Sequence, residues 1–222
     1  MKLLPRVKKI LFPTLITLLY AVFSYFFMRY AWENSLLVSV RGSSPIHIGR
    51  KFLCDFVSGM LIVILLLAIT LIRKKPLSEL GITLRSPVLI AVLSAAYLAM
   101  FIWNGDYSAK GFYAAFFYLV VVAFSEEFVF RGFLFTAIDR EFGFWIAAVI
   151  SGLLFGAVHA FMPSIKYNYD TSRFIQEIMS NLLGQGILGG AVFALLYKKS
   201  KTLFVPVLVH AILDYSGVLF KM

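Results

Sequence analysis

Long apolar runs separated by short polar ones dominate this chain. About seven stretches, near 10–30, 52–72, 87–103, 111–138, 144–162, 179–197 and 203–220, are long enough or nearly so to cross a hydrocarbon layer. That layer is roughly 30 Å thick and a helix climbs about 1.5 Å per residue. The fourth stretch exceeds one straight span. It predicts a tilted helix, or a span with an interfacial continuation, and with it a total of about seven to eight helices. The longest polar stretches are 31–51 and 163–178. The pattern therefore predicts an all-α, polytopic helix bundle, one transmembrane domain over 1–222, with N-terminal spans over 1–110. The first run follows Lys2, Arg6, Lys8 and Lys9 and lacks a small-x-small cleavage site, so it reads as a retained span.

Composition sharpens this picture. Of 222 residues, 61% are hydrophobic and 14% charged, with a mean hydropathy of +0.88. Soluble domains are roughly 45–50% apolar, so a chain of this size has no interior large enough to hide the excess. The net charge of +10 raises the question of nucleic acid. The cations, however, gather at the ends of apolar runs: the N-terminus, Arg73-Lys74-Lys75, and Lys198-Lys199 with Lys201. That is a topology signal and predicts a lipid bilayer as partner, not nucleic acid. It places the N-terminus and loops 73–86 and 198–202 on the cytoplasmic side, with the C-terminus opposite after an odd number of spans. The expected location is an integral, multi-pass position, in the cytoplasmic membrane if the source is prokaryotic. Cys54 is the single cysteine, so an intrachain disulfide is excluded.

The candidate chemistry lies inside the apolar runs. Charged groups in mid-membrane cost at least a few kcal/mol and usually mark a working site. Ser125-Glu126-Glu127-Phe128-Val129-Phe130-Arg131 places two acids and a guanidinium there. Adjacent residues on a helix point about 100° apart, so Glu126 and Glu127 serve different purposes. Glu127 and Arg131 have the i,i+4 spacing of an intrahelical ion pair, which suggests a positioning role. Glu126 has Phe130 at that offset and no cationic partner, which suits a proton acceptor. His159 ends one apolar run, and His210 and Asp214 share a face of the last one. A carboxylate so placed can fix the tautomer of a histidine. Gly152-x-x-x-Gly156 and Gly186-x-x-x-Gly190 each line one helical face and predict close helix packing. Gly-x-Ser-x-Gly, a paired intramembrane Asp and His-Glu-x-x-His are all absent from the sequence, which argues against serine, aspartyl and zincin chemistry.

At Glu126-Glu127-x-x-x-Arg131, Phe155-x-x-x-His159 and His210-x-x-x-Asp214 the chain resembles the CPBP family of intramembrane endopeptidases, the CAAX-protease and bacteriocin-processing group. The resemblance covers about residues 111–216, so the region 111–222 is the expected catalytic core. It implies hydrolysis of a peptide bond at or within the membrane, in a polar cavity. Glu126 and His159 would activate water, and His210 with residue 214 would stabilise the oxyanion. Glu127 and Arg131 would hold the site together. Position 214 is Asp where prenyl-protein-processing members carry Asn. An ionised Asp cannot donate a hydrogen bond, so Asp214 is either protonated or orients His210. A glutamate-activated mechanism without cofactor fits the resemblance better than zinc, whose ligands would be Glu126, His159 and His210. The implied partners are peptide or membrane-protein substrates, prenylated or bacteriocin-like precursors among them. The rival readings are a non-catalytic immunity or regulatory protein that binds a peptide or partner helix, and a proton-coupled transporter. The latter is disfavoured by the lack of an internal repeat.

Overall fold

The computed structural model describes residues 3–37, 47–166 and 170–219. Among them the chain is helical and without strands. We number the helices α1 (Leu3–Glu33), α2 (Ile48–Ile72), α3 (Pro87–Asn104), α4 (Ala109–Phe142), α5 (Phe144–Lys166, interrupted at Ala160), α6 (Thr171–Ser200) and α7 (Phe204–Leu219). The first six are long and apolar enough to span a bilayer, and α7 is a shorter apolar helix. The protein is thus an integral, multi-pass helical bundle. The seven expected stretches correspond to these helices one for one. The over-long fourth run is a single helix of 34 residues. Within the polar stretch 163–178, residues 163–166 and 171–178 are helical. Asp170 caps its second helix by accepting a hydrogen bond from the Arg173 amide at 2.8 Å.

Why the apolar residues are spread around α1, α2 and α3 is plain from their surroundings. Leu15, Leu19, Phe26, Ile64, Leu65, Val92 and Leu98 all face outward, where lipid tails replace water as the solvent. Helix α4 is the opposite case. Phe128, Val129, Phe130, Leu134 and Phe135 are fully enclosed, so its middle forms the core of the bundle. There the helix widens into π-helical turns over Phe117–Phe124 and Phe128–Phe135, on either side of Ser125–Glu127. Such insertions occur frequently at functional sites. Helix α7 closes on α3 through Tyr215, whose ring lies 5.4 Å from that of Tyr97 and whose hydroxyl accepts from Asn104 at 3.2 Å.

One end of the bundle gathers the cations. Loop 73–86 and the α6–α7 turn are tied together there: Thr83 and Ser86 hydroxyls donate to the carbonyls of Lys201 and Ser200 at 2.8 and 3.0 Å. The Leu203 amide donates to Gly81 at 2.8 Å. Gly81 adopts φ +78°, and an added Cβ would collide with the Tyr197 ring, so only glycine fits the turn. At the same end Lys9 pairs with Glu141 at 2.9 Å and Lys198 with Asp139. The expected clustering of both basic loops with the start of α1 is what the structure contains.

The two glycine motifs meet each other. A Cβ on Gly152 would strike the carbonyl of Gly186, and one on Gly186 would strike that of Gly152 at 2.7 Å. Helices α5 and α6 therefore approach backbone to backbone. Gly184, two residues away, has nothing near its missing Cβ. Gly186→Ala is expected to destabilise the protein by about 1–3 kcal/mol through overpacking. Gly184→Ala should be neutral or stabilising by up to about 1 kcal/mol through helix propensity. Melting both variants in the same detergent checks the pair, and equal melting temperatures would contradict the contact.

Candidate active site

The site is built where α4, α5 and α7 meet. Helix α4 carries the adjacent Glu126 and Glu127, with Arg131 one turn further on. Helix α5 brings in His159 just before its break at Ala160, and α7 brings in His210 and Asp214. The close α5–α6 contact places Phe193 of α6 beside them. All six residues singled out from the sequence thus lie in one cluster.

Glu127 and Arg131 form the expected ion pair, Nη1 to Oε1 at 3.2 Å, with the side chains 0% and 1% exposed. No well-aligned hydrogen bond reaches the guanidinium. Its compensation is the Glu127 charge and two aromatic faces: its carbon lies 4.2 Å from the Phe155 ring centre and 5.2 Å from that of Phe193. Glu127 has a second contact that spacing along the chain could not reveal. His210 Nδ1 donates to Glu127 Oε1 at 2.9 Å. Phe193 stacks on the other side of that imidazole, 4.9 Å away and 23° from parallel. His210 is therefore gripped by a carboxylate at one nitrogen and by a ring on its face. Its partner at Nδ1 is Glu127 and not Asp214, which instead lies 3.5 Å from Nε2.

His159 is held differently. Its Nδ1 lies 2.9 Å from the Phe155 carbonyl. A carbonyl only accepts, so Nδ1 carries the proton, and in the neutral ring Nε2 presents a lone pair. That Nε2 lies 3.7 Å from Glu126 Oε2, and His210 Nε2 lies 3.8 Å from the same oxygen. Both distances exceed a direct hydrogen bond. Glu126 Oε2 is buried and has no hydrogen-bond partner. The cluster is graded in exposure. Glu127 and Arg131 are sealed, Glu126 and His159 are each 24% exposed, and Asp214 is 34% exposed. Burial thus falls from Glu127 and Arg131 through Glu126 and His159 to Asp214. Among the described residues, no three His, Cys, Asp or Glu side chains are arranged to hold a metal ion.

Phe193 and the Glu127–His210 bond are the parts of the cluster that sequence reasoning missed. Phe193 sits in an apolar run with nothing to mark it, and residues 127 and 210 are joined only by the packing of α4 against α7. Comparison with known proteins agrees with the motifs. Residues 107–216 match the family model described as Type II CAAX prenyl endopeptidase Rce1-like, while neither a curated protein nor a solved structure gives a match. The matched segment encloses the whole cluster from Glu126 to Asp214. This C-terminal half of the chain belongs to the Rce1-like type II CAAX prenyl endopeptidase family.

Proposed function

We propose that the protein is a glutamate-dependent intramembrane endopeptidase. The observation that carries this reading is the convergence of Glu126 Oε2 on the Nε2 atoms of His159 and His210, at 3.7 and 3.8 Å. Glu126 and neutral His159 both offer acceptors and have no proton to share with each other. A water molecule has two O–H donors and satisfies both at once, which leaves its lone pair free to attack. Glu126 takes the proton as the oxygen adds to the scissile carbonyl carbon. It returns that proton to the amide nitrogen as the C–N bond breaks, releasing an acid and an amine.

The developing oxyanion needs donors. His210 already gives its Nδ1 proton to Glu127. Only the doubly protonated ring has an Nε2–H to offer as well, the carboxylates of Glu127 and Glu126 balance that charge, and a protonated Asp214 supplies the second donor. In this reading Glu127 is the orienter of His210, which frees Asp214 from that task. Asp214→Asn should then retain activity, since an amide donates without a bound proton. Asp214→Leu should lower kcat by about a hundredfold, as loss of one oxyanion donor does. Steady-state kinetics of both variants decide it: a large loss in Asp214→Asn would mean that the carboxylate itself is required.

Peptides attached to or emerging from the membrane are the proposed substrates, prenylated C-terminal segments first among them on the strength of the family. The proposed mechanism uses no zinc; zinc held by Glu126, His159 and His210 is the rival that the following experiment decides. Purified protein reconstituted in vesicles, dialysed against a chelator and checked by elemental analysis, should cleave a prenylated peptide that ends within a few residues of its modified cysteine. Loss of activity on dialysis and its return with zinc would overturn the metal-free mechanism. Failure to cleave either prenylated or unprenylated membrane peptides would overturn the protease reading itself.

A further inference from the structure

A cavity of about 330 Å³ lies at the basic face of the bundle, away from the carboxylate–imidazole cluster. Volumes from roughly 300 Å³ upward are typical of small-molecule sites. Its apolar wall comes from Phe12 of α1, Leu66 and Ile69 of α2, and Phe133 of α4. Its polar wall holds Lys9, Arg73, Lys75 and Arg140 with Glu79 and Glu141. Three of the cations are already engaged: Lys9 with Glu141 at 2.9 Å, Lys75 with Glu79 at 3.2 Å, and Arg140 with Glu79 at 3.8 Å. Arg73 is different. Its guanidinium lies over the Phe12 ring at 5.5 Å, and no carboxylate pairs with it among the described residues. Four cations against two carboxylates leave two positive charges in excess.

We propose that this cavity binds an anionic glycerophospholipid, its phosphate on Arg73 and the neighbouring cations and the start of its acyl chains against Phe12, Leu66, Ile69 and Phe133. A free anion would use the cations alone and gain nothing from an apolar wall. An uncharged lipid would leave the excess charge unmatched. The site also lies at the level where the basic ends of the spans meet headgroups, and anionic lipids populate the cytoplasmic leaflet. The charge pattern and the apolar wall therefore select the same ligand class independently.

Native mass spectrometry of the full-length protein in detergent tests this without reference to catalysis. Phosphatidylglycerol, phosphatidylcholine and inorganic phosphate are the probes. Phosphatidylglycerol should give a retained single adduct that phosphatidylcholine does not, and inorganic phosphate should not displace it. Arg73→Gln should weaken retention about fivefold, the effect of removing one cation near a lipid surface. Lys75→Gln serves if that variant fails to fold. Ile69→Trp fills the cavity while keeping every cation and should also weaken retention. Lys199→Gln, on the same face but outside the cavity wall, should not. Equal retention of both lipids, displacement by phosphate, an unchanged Ile69→Trp, or equal weakening by Lys199→Gln would each overturn the site.

Discussion

Replacing Glu126 with Gln should lower turnover of a cleavable peptide by about two to four orders of magnitude, the usual effect of removing a positioned general base. The melting temperature should stay where it was. Both halves follow from the geometry. The substitution keeps shape and hydrogen-bonding capacity but removes the ability to take a proton. Oε2 has no hydrogen-bond partner in the folded protein, so no native hydrogen bond of that atom is broken. Glu126 lies 3.8 Å from His210 Nε2, and Glu127 remains to balance the imidazolium at 2.9 Å from Nδ1. The loss should appear in kcat with KM nearly unchanged, because Glu126 acts on the water and not on the peptide's recognition. A protein that merely binds a peptide or a partner helix through these groups would behave differently, since an amide fills the same space and accepts the same hydrogen bonds. Turnover within a few-fold of wild type in Glu126→Gln would remove Glu126 from the chemistry.

How far the sequence alone could reach depended on whether the relevant contact was local. The spans were legible because each must satisfy its own backbone in lipid, so hydropathy and length report them directly. The Glu127–Arg131 pair was legible for the same reason, since i,i+4 neighbours meet on any helix. The glycine motifs announced a close contact without saying with whom, and the partner turns out to be each other. His210 shows where local reasoning stops. Asp214 is its i+4 neighbour and was the natural candidate to orient it. The ring instead turns its Nδ1 across to α4, where Glu127 accepts at 2.9 Å, and leaves Asp214 at 3.5 Å from the other nitrogen. Which way a side chain points between helices is set by their packing, and a separation of 83 positions along the chain hides that. The α4 widening around Ser125–Glu127 was equally invisible, because Phe, Val and Ala suit an α- or a π-turn alike.

The buried base of the site gives the second large effect, and it separates folding from catalysis. Arg131→Met should cost about 3–5 kcal/mol, because it strands the Glu127 charge in a fully enclosed position. Little else can compensate: Glu127 Oε2 has no hydrogen-bond partner, and its remaining contact is the imidazole of His210. Glu127→Leu alone should be comparably damaging for the opposite reason, since Arg131 would keep its charge with only the Phe155 and Phe193 faces beside it. The double variant Glu127→Leu/Arg131→Met removes both charges and substitutes apolar groups of similar volume. Buried pairs replaced in this way are often neutral or even stabilising, so its melting temperature should return most of the way to wild type. Its activity should not return with it. Without Glu127, His210 loses the acceptor that holds its Nδ1 proton and fixes which nitrogen faces Glu126, and a misoriented ring cannot stabilise the oxyanion. Thermal melting and kcat, measured on all three variants, should therefore diverge in the double mutant: stability recovers while turnover stays low. A double variant that recovers both would reduce Glu127 to the partner of Arg131; one that recovers stability alone makes it the residue that aims His210.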